Sequence, residues 1–154
     1  MTIEEKITHY KESLDSFEDT MDKYKFLLDQ GKKAKSFPEE YRQDSFKVSG
    51  CQAQVWLVPF LNDKLLSFHT DSDAFISKGM ITILSDIYGN NLPNDILNSD
   101  FELIKTLNLD VLLTPSRTNG VFFMLKVIKN MPKHFQKLKR TPSAYCLSKD
   151  REYV

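Results

Sequence analysis

Between Ala53 and Leu61 apolar side chains fill both alternating sets of positions, Val55, Leu57 and Leu61 on one and Trp56, Val58 and Phe60 on the other. A strand of this kind has no face to give to water, so the rest of the chain must cover it on both sides. Asn62-Asp63 supplies a turn, and Lys64 to Thr70 reads as the return strand with Leu66 and Phe68 on one side. A β-hairpin is therefore expected near the middle of the chain.

The segments around this hairpin carry helical spacing. Thr2-Ile3-Glu4-Glu5 forms a capping box, and Ile3, Ile7, Tyr10 and Leu14 fall on one helical face. After a break near Asp15-Ser16, Phe17, Met21, Tyr24 and Leu28 repeat the spacing, with a stop expected at Gly31. Residues 32–50 show neither period and read as an extended surface loop. Asp71-Ser72-Asp73 offers capping oxygens before Ile76, Met80, Ile83, Leu84 and Ile87, a helix closed by Gly89. Pro93 starts a short helix, Asp100 caps one holding Phe101, Ile104 and Leu107, and Thr114-Pro115 opens the last long one, expected to end near Asn130 ahead of Pro132. Helices at both ends of a central hairpin give an α+β domain with a small, mainly antiparallel sheet. At 154 residues, one domain suffices.

Charge and hydropathy narrow the function classes. Lys plus Arg and Asp plus Glu both number 21, so no overall field draws the chain to nucleic acid or an anionic membrane. The balance is uneven, with 13 basic and 19 acidic side chains in residues 1–125 against 8 and 2 in residues 126–154. That basic end reads as a solvated helix terminus and tail rather than a phosphate-binding arm. No apolar run approaches the roughly 20 residues of a membrane span. The acidic opening MTIEEKITHY does not resemble a secretory signal or a transit peptide, so a cytoplasmic location is expected.

With Cys51 and Cys146 as the two cysteines, each is weighed as a free thiol. Cys51 lies in Val48-Ser49-Gly50-Cys51-Gln52-Ala53-Gln54-Val55-Trp56, between a glycine-bearing loop and the first strand. A loop tip on a rigid strand can present a thiol, and Gly50 allows turns closed to other residues. Cysteine is also among the most buried residue types, so position alone leaves a structural thiol open. A nucleophile of the papain kind requires a histidine from among His9, His69 and His134, and His69 on the hairpin is the one weighed, against the reading of a surface residue. Two cysteines about 95 residues apart, without CxxC or HxxxH spacing, disfavour a zinc or iron-sulfur site. No dinucleotide, P-loop, zincin or serine-hydrolase motif is present.

GCQAQVWLV at 50–58, DSDA at 71–74, Lys78-Gly79 and TPSRTNG at 114–120 resemble, in that order, the SufE family of sulfur-acceptor proteins, over roughly residues 1–130. The resemblance implies an α+β fold of the SufE/NifU type, with a small curled sheet and helices packed against it. It implies a sulfur-acceptor domain over 1–131 and a basic extension over 132–154. It further implies that Cys51 takes persulfide sulfur from a SufS- or CsdA-like cysteine desulfurase, stimulates that enzyme and passes sulfur to an iron-sulfur scaffold. Pyridoxal phosphate belongs to the desulfurase, and no cofactor, metal, nucleic acid or membrane is implied for this chain, which is a carrier rather than an enzyme.

By the same resemblance Asp73 and Arg117 lie near the cysteine loop. Asp73 is also placed as a plain helix cap, and Arg117 is either a positive charge favouring the thiolate or a surface ion-pair partner. Gln52 and Gln54 are available to bond the loop or a partner backbone, and Trp56 reads as core. Phe46 stands where the family commonly has asparagine, and Cys146 has no flanking motif. Protecting a persulfide calls for burial, so Cys51 is expected to tuck into a pocket formed by Val58, Leu66 and Phe68, with Gly50 as hinge. The alternatives are a NifU-like iron-sulfur scaffold and a hydrolase pairing Cys51 with His69.

Overall fold

The computed structural model describes residues 1–136, so Cys146 and most of the basic extension lie outside the described residues. Helix α1 (Ile3–Asp15) opens on Thr2, whose hydroxyl accepts from the Glu5 amide while the Glu5 carboxylate accepts from the Thr2 amide. Helix α2 (Thr20–Lys32) is capped by Asp19. Two single 3-10 turns, Glu39–Tyr41 and Asp44–Phe46, interrupt the loop expected over 32–50. The hairpin follows as β1 (Val55–Asn62) and β2 (Leu65–Ser72), antiparallel in a register running from Val55 opposite Ser72 to Asn62 opposite Leu65. Its tight turn holds Asp63 at φ 56°. Helices α3 (Phe75–Tyr88), α4 (Pro93–Asn98), α5 (Leu109–Leu112) and α6 (Pro115–Gln136) complete the order, with a 3-10 helix at Phe101–Leu107 capped by Asp100.

The two faces of the hairpin are covered by different material. Val55, Leu57, Leu66 and Phe68 join the main core with Ile76, Met80, Ile83 and Leu84 of α3 and Val121, Met124 and Ile128 of α6. Trp56 and Val58 instead meet Phe37 and Phe46 from the irregular segment, with Tyr41 packed alongside. Arg42 lies over the Trp56 ring at 4.7 Å and pairs with Asp71, the register partner of Trp56, at 2.7 Å. The loop is therefore a lid on the second sheet face, and Phe46 serves it as a buried ring.

Helices α2 and α3 approach through glycines rather than large side chains. A Cβ on Gly31 would stand 2.9 Å from the Gly79 amide nitrogen, and one on Gly79 would run into the Leu27 carbonyl oxygen. This corrects the expected inward face of α2: Leu27 and Gly31 are buried, Met21 is 58% exposed, and Gly31 is a packing position inside the helix rather than its stop. Helix α6 also continues past its expected end, through Pro132 to Gln136. Proline removes one amide donor and crowds the preceding turn, but Ile128, Met131 and Phe135 on either side of it are buried and hold the helix on course.

Gly79→Ala should lower the free energy of unfolding by about 3 kcal/mol or more, because its methyl meets backbone that has nowhere to move. Urea denaturation checks this, with the exposed Phe75→Ala expected to stay within about 0.5 kcal/mol of the parent.

Candidate functional site

Cys51 sits in a short reversal of the chain whose two ends are tied together. The Val48 amide donates to the Val55 carbonyl at 2.8 Å, and Lys47 forms a bridge with Trp56. Beside the reversal stands the start of α3. The Asp73 carboxylate accepts from the Gln54 amide at 2.9 Å and from Gln54 Nε2 at 3.0 Å, while the Gln54 carbonyl accepts from Ser72 Oγ at 2.7 Å and the Asp73 amide at 3.2 Å. Every polar group of the Gln54 backbone is thereby engaged by residues 72–73, which fixes the exit of the cysteine loop.

The Cys51 side chain turns inward from this frame. Its Sγ lies 3.6 Å from the Gly120 carbonyl oxygen, to which the thiol donates a weak hydrogen bond. Around it Gln52, Ile76, Ser77, Met80, Leu113 and Arg117 help line a cavity of about 10 Å³, the room of one water-sized atom. Burial in these largely apolar surroundings pushes the thiol pKa up to about 11, because a thiolate there loses its hydration. In the unfolded chain the same thiol ionises near pH ~8.5, so it withdraws stability as the pH rises from there towards 11.

Several expectations change on this geometry. The pocket is built by α3, α6 and the residues before α6; Leu66 and Phe68 belong to the main core and Val58 to the other face, so none of the three lines it. A hairpin pocket was expected because those residues neighbour Cys51 in sequence, whereas the cavity is made by helix ends brought in from elsewhere. Asp73 is no helix cap: Ala74 is the N-cap residue of α3, without a side-chain bond, and the Asp73 carboxylate reaches Gln54 instead. Arg117 reaches the cavity, but its Nη1 donates to the buried Ser77 Oγ at 3.1 Å, and the thiol is shifted upward by burial alone. His69 is not brought to Cys51: it stacks on Phe60, ring centroids 4.1 Å apart, and on Tyr41, across the hairpin from the core that Cys51 packs against. Burial lowers its pKa. Trp56 is core, as expected.

Gly50 occupies φ +89°, a region that only glycine enters freely, immediately before the thiol. Gln52 lines the cavity and is exposed, and Gln54 is fixed through Asp73. Sequence reasoning missed Ser77, Gly120 and Phe123. Gly120 was visible inside the TPSRTNG block, whereas nothing local marks Ser77 or Phe123.

Asp73→Ala should free the Gln54 amide, raising its hydrogen-exchange rate by about tenfold or more while lowering global stability by only about 1–2 kcal/mol. Exchange followed by NMR separates this local loosening from unfolding. Asp73→Asn, which keeps one accepting oxygen, should fall between.

Comparisons with known proteins bear on the chain as a whole. A family model described as "SufE: Fe-S metabolism associated domain" matches residues 8–131. Over 126 residues the chain is 32% identical to the cysteine desulfuration protein SufE of Wigglesworthia glossinidia brevipalpis, covering 80% of this chain and 88% of that protein. The solution structure of a hypothetical protein from Thermus thermophilus superposes with a TM-score of 0.72 at 16% identity, covering 86% of this chain and 97% of the other, and supports the α+β fold. The chain belongs to the SufE family.

Proposed function

We propose that this member of the SufE family is a sulfur carrier in iron-sulfur metabolism, with Cys51 as the carrying thiol. The Cys51 thiolate attacks the terminal sulfur of a persulfide held on the cysteine of a pyridoxal-phosphate cysteine desulfurase. A new S–S bond forms at Cys51, the S–S bond on the desulfurase breaks, and its cysteine leaves as a thiolate. Removing that persulfide returns the desulfurase to its reactive form, which is how an acceptor of this kind stimulates turnover. The loaded Cys51 then gives its outer sulfur to a scaffold on which a cluster is assembled.

The observation that carries this reading is the Cys51 thiol at the tip of a short, tied loop, turned into a small apolar cavity. Exchange between sulfurs needs only a positioned thiol and access, so the separation of His69 from Cys51 is no obstacle to it. The same separation removes the support for a hydrolase. A scaffold needs several ligands, and among the described residues no group of three His, Cys, Asp or Glu side chains is placed to share a metal ion. The cavity's room for one water-sized atom suits storage of an outer sulfur away from oxidants.

Incubation with a cysteine desulfurase and cysteine should add one sulfur, ~32 Da, to the protein, removed by reductant and absent in Cys51→Ser. Mass spectrometry reads the outcome; no gain, or a gain that survives Cys51→Ser, contradicts the proposal. Anaerobic incubation with iron and sulfide should leave the protein colourless, and a bound chromophore would favour the scaffold instead.

A further inference from the structure

Phe123 fills the space beside Gly50 in which any other residue would carry its first side-chain carbon. A Cβ on Gly50 would lie 2.6 Å from Cδ2 and Cε2 of the Phe123 ring and 2.8 Å from its Cγ. Gly50 is the residue before Cys51 and stands at φ +89°. Three residues earlier on α6, Gly120 presents its carbonyl to Cys51 Sγ at 3.6 Å. Positions three apart share one face of a helix, so a single turn of α6 meets both the hinge and the thiol.

The ring is not needed to dock α6. Val121, Met124, Leu125 and Ile128 are buried and fasten that helix to the core, whereas Phe123 remains 39% exposed and Phe122 48% exposed. A large apolar ring left partly in water is thus pressed on the one glycine of the cysteine loop. We propose that Phe123 is a positioning residue for Cys51: its ring presses on the bare face of Gly50 and holds the loop in the inward pose that seats the thiol beside Gly120. Movement of the ring away from Gly50 releases the loop and brings the thiol to solvent. This assignment rests on Cys51 being the reacting thiol, but its test reads the free protein.

The test measures alkylation of Cys51 by iodoacetamide between pH 7 and 11. Phe123→Ala should react at least about fivefold faster than the parent at pH 8, with the midpoint of its pH profile moved down from about 11 towards the ~8.5 of an exposed thiol. Phe123→Tyr should retain the slow rate and high midpoint, since its hydroxyl can point to solvent, and Phe123→Leu should be intermediate. Phe122→Ala should match the parent. An unchanged rate and midpoint in both Phe123→Ala and Phe123→Leu overturns the assignment, as does an equal acceleration by Phe122→Ala, which would mean general loosening of α6. Should Phe123→Ala not fold, the Leu and Tyr variants decide by the same readout. Failure here leaves the sulfur-carrier reading standing, and failure of sulfur uptake leaves these rates as they are.

Discussion

The desolvation of one thiol sets the demands that the rest of the site meets. A thiol held at a pKa of about 11 rather than about 8.5 carries roughly three hundredfold less thiolate near neutrality. The higher intrinsic nucleophilicity of a more basic sulfur returns roughly a factor of ten, leaving a resting thiol about thirtyfold slow before any steric shielding. Such a residue resists stray alkylation and oxidation while free, and reacts once it is moved into water or beside a positive charge. The geometry supplies the means: a left-handed glycine before the thiol, and a cavity wall made of helix ends rather than of the strand that carries the loop.

The loop's freedom is bounded by where its ends are fastened. Val48 and Val55 are buried in the main core, while Trp56 lies in the second cluster with Phe37 and Phe46, under the Arg42 guanidinium. Asp73 and Ser72 then engage Gln54 from the start of α3. The fastened ends leave only about the residues from Ser49 to Ala53 untied, so the hinge proposed at Gly50 would re-aim the thiol without disturbing either sheet face. Phe46 contributes on the far side, as a buried ring that helps close the cluster around Trp56.

What the sequence made legible were features whose physics is local. The Thr2–Glu5 capping box, the Asp100 cap and the tight turn of the hairpin each rest on residues within a few positions of one another, and each stands where its pattern indicated. Readings that treated a tertiary question as a local one came out differently. Asp73 has the chemistry of a cap, yet its carboxylate is taken by Gln54, 19 residues away. Gly31 has the chemistry of a helix stop, yet it serves a crossing with Gly79. The cavity beside Cys51 needs Ser77, and the ring over Gly50 comes from Phe123, neither of which has a periodicity or motif pointing at residue 51. The Cys51 site itself was legible because four separated blocks carry the family resemblance, and three of them, at 50–58, 71–74 and 114–120, supply residues that meet around the thiol and its loop.

The central claim is that the resting Cys51 is a buried, protonated thiol held out of reaction by its surroundings. Its most direct test is the 13Cβ chemical shift of Cys51, labelled in the free protein and followed by NMR from pH 6 to 11.5. A single titration with its midpoint near pH 11, moving to about 8.5 in denaturant, is the result this structure predicts. A midpoint at or below 8.5 in the folded protein would mean that the thiol rests in water or beside a positive charge, and would contradict the account.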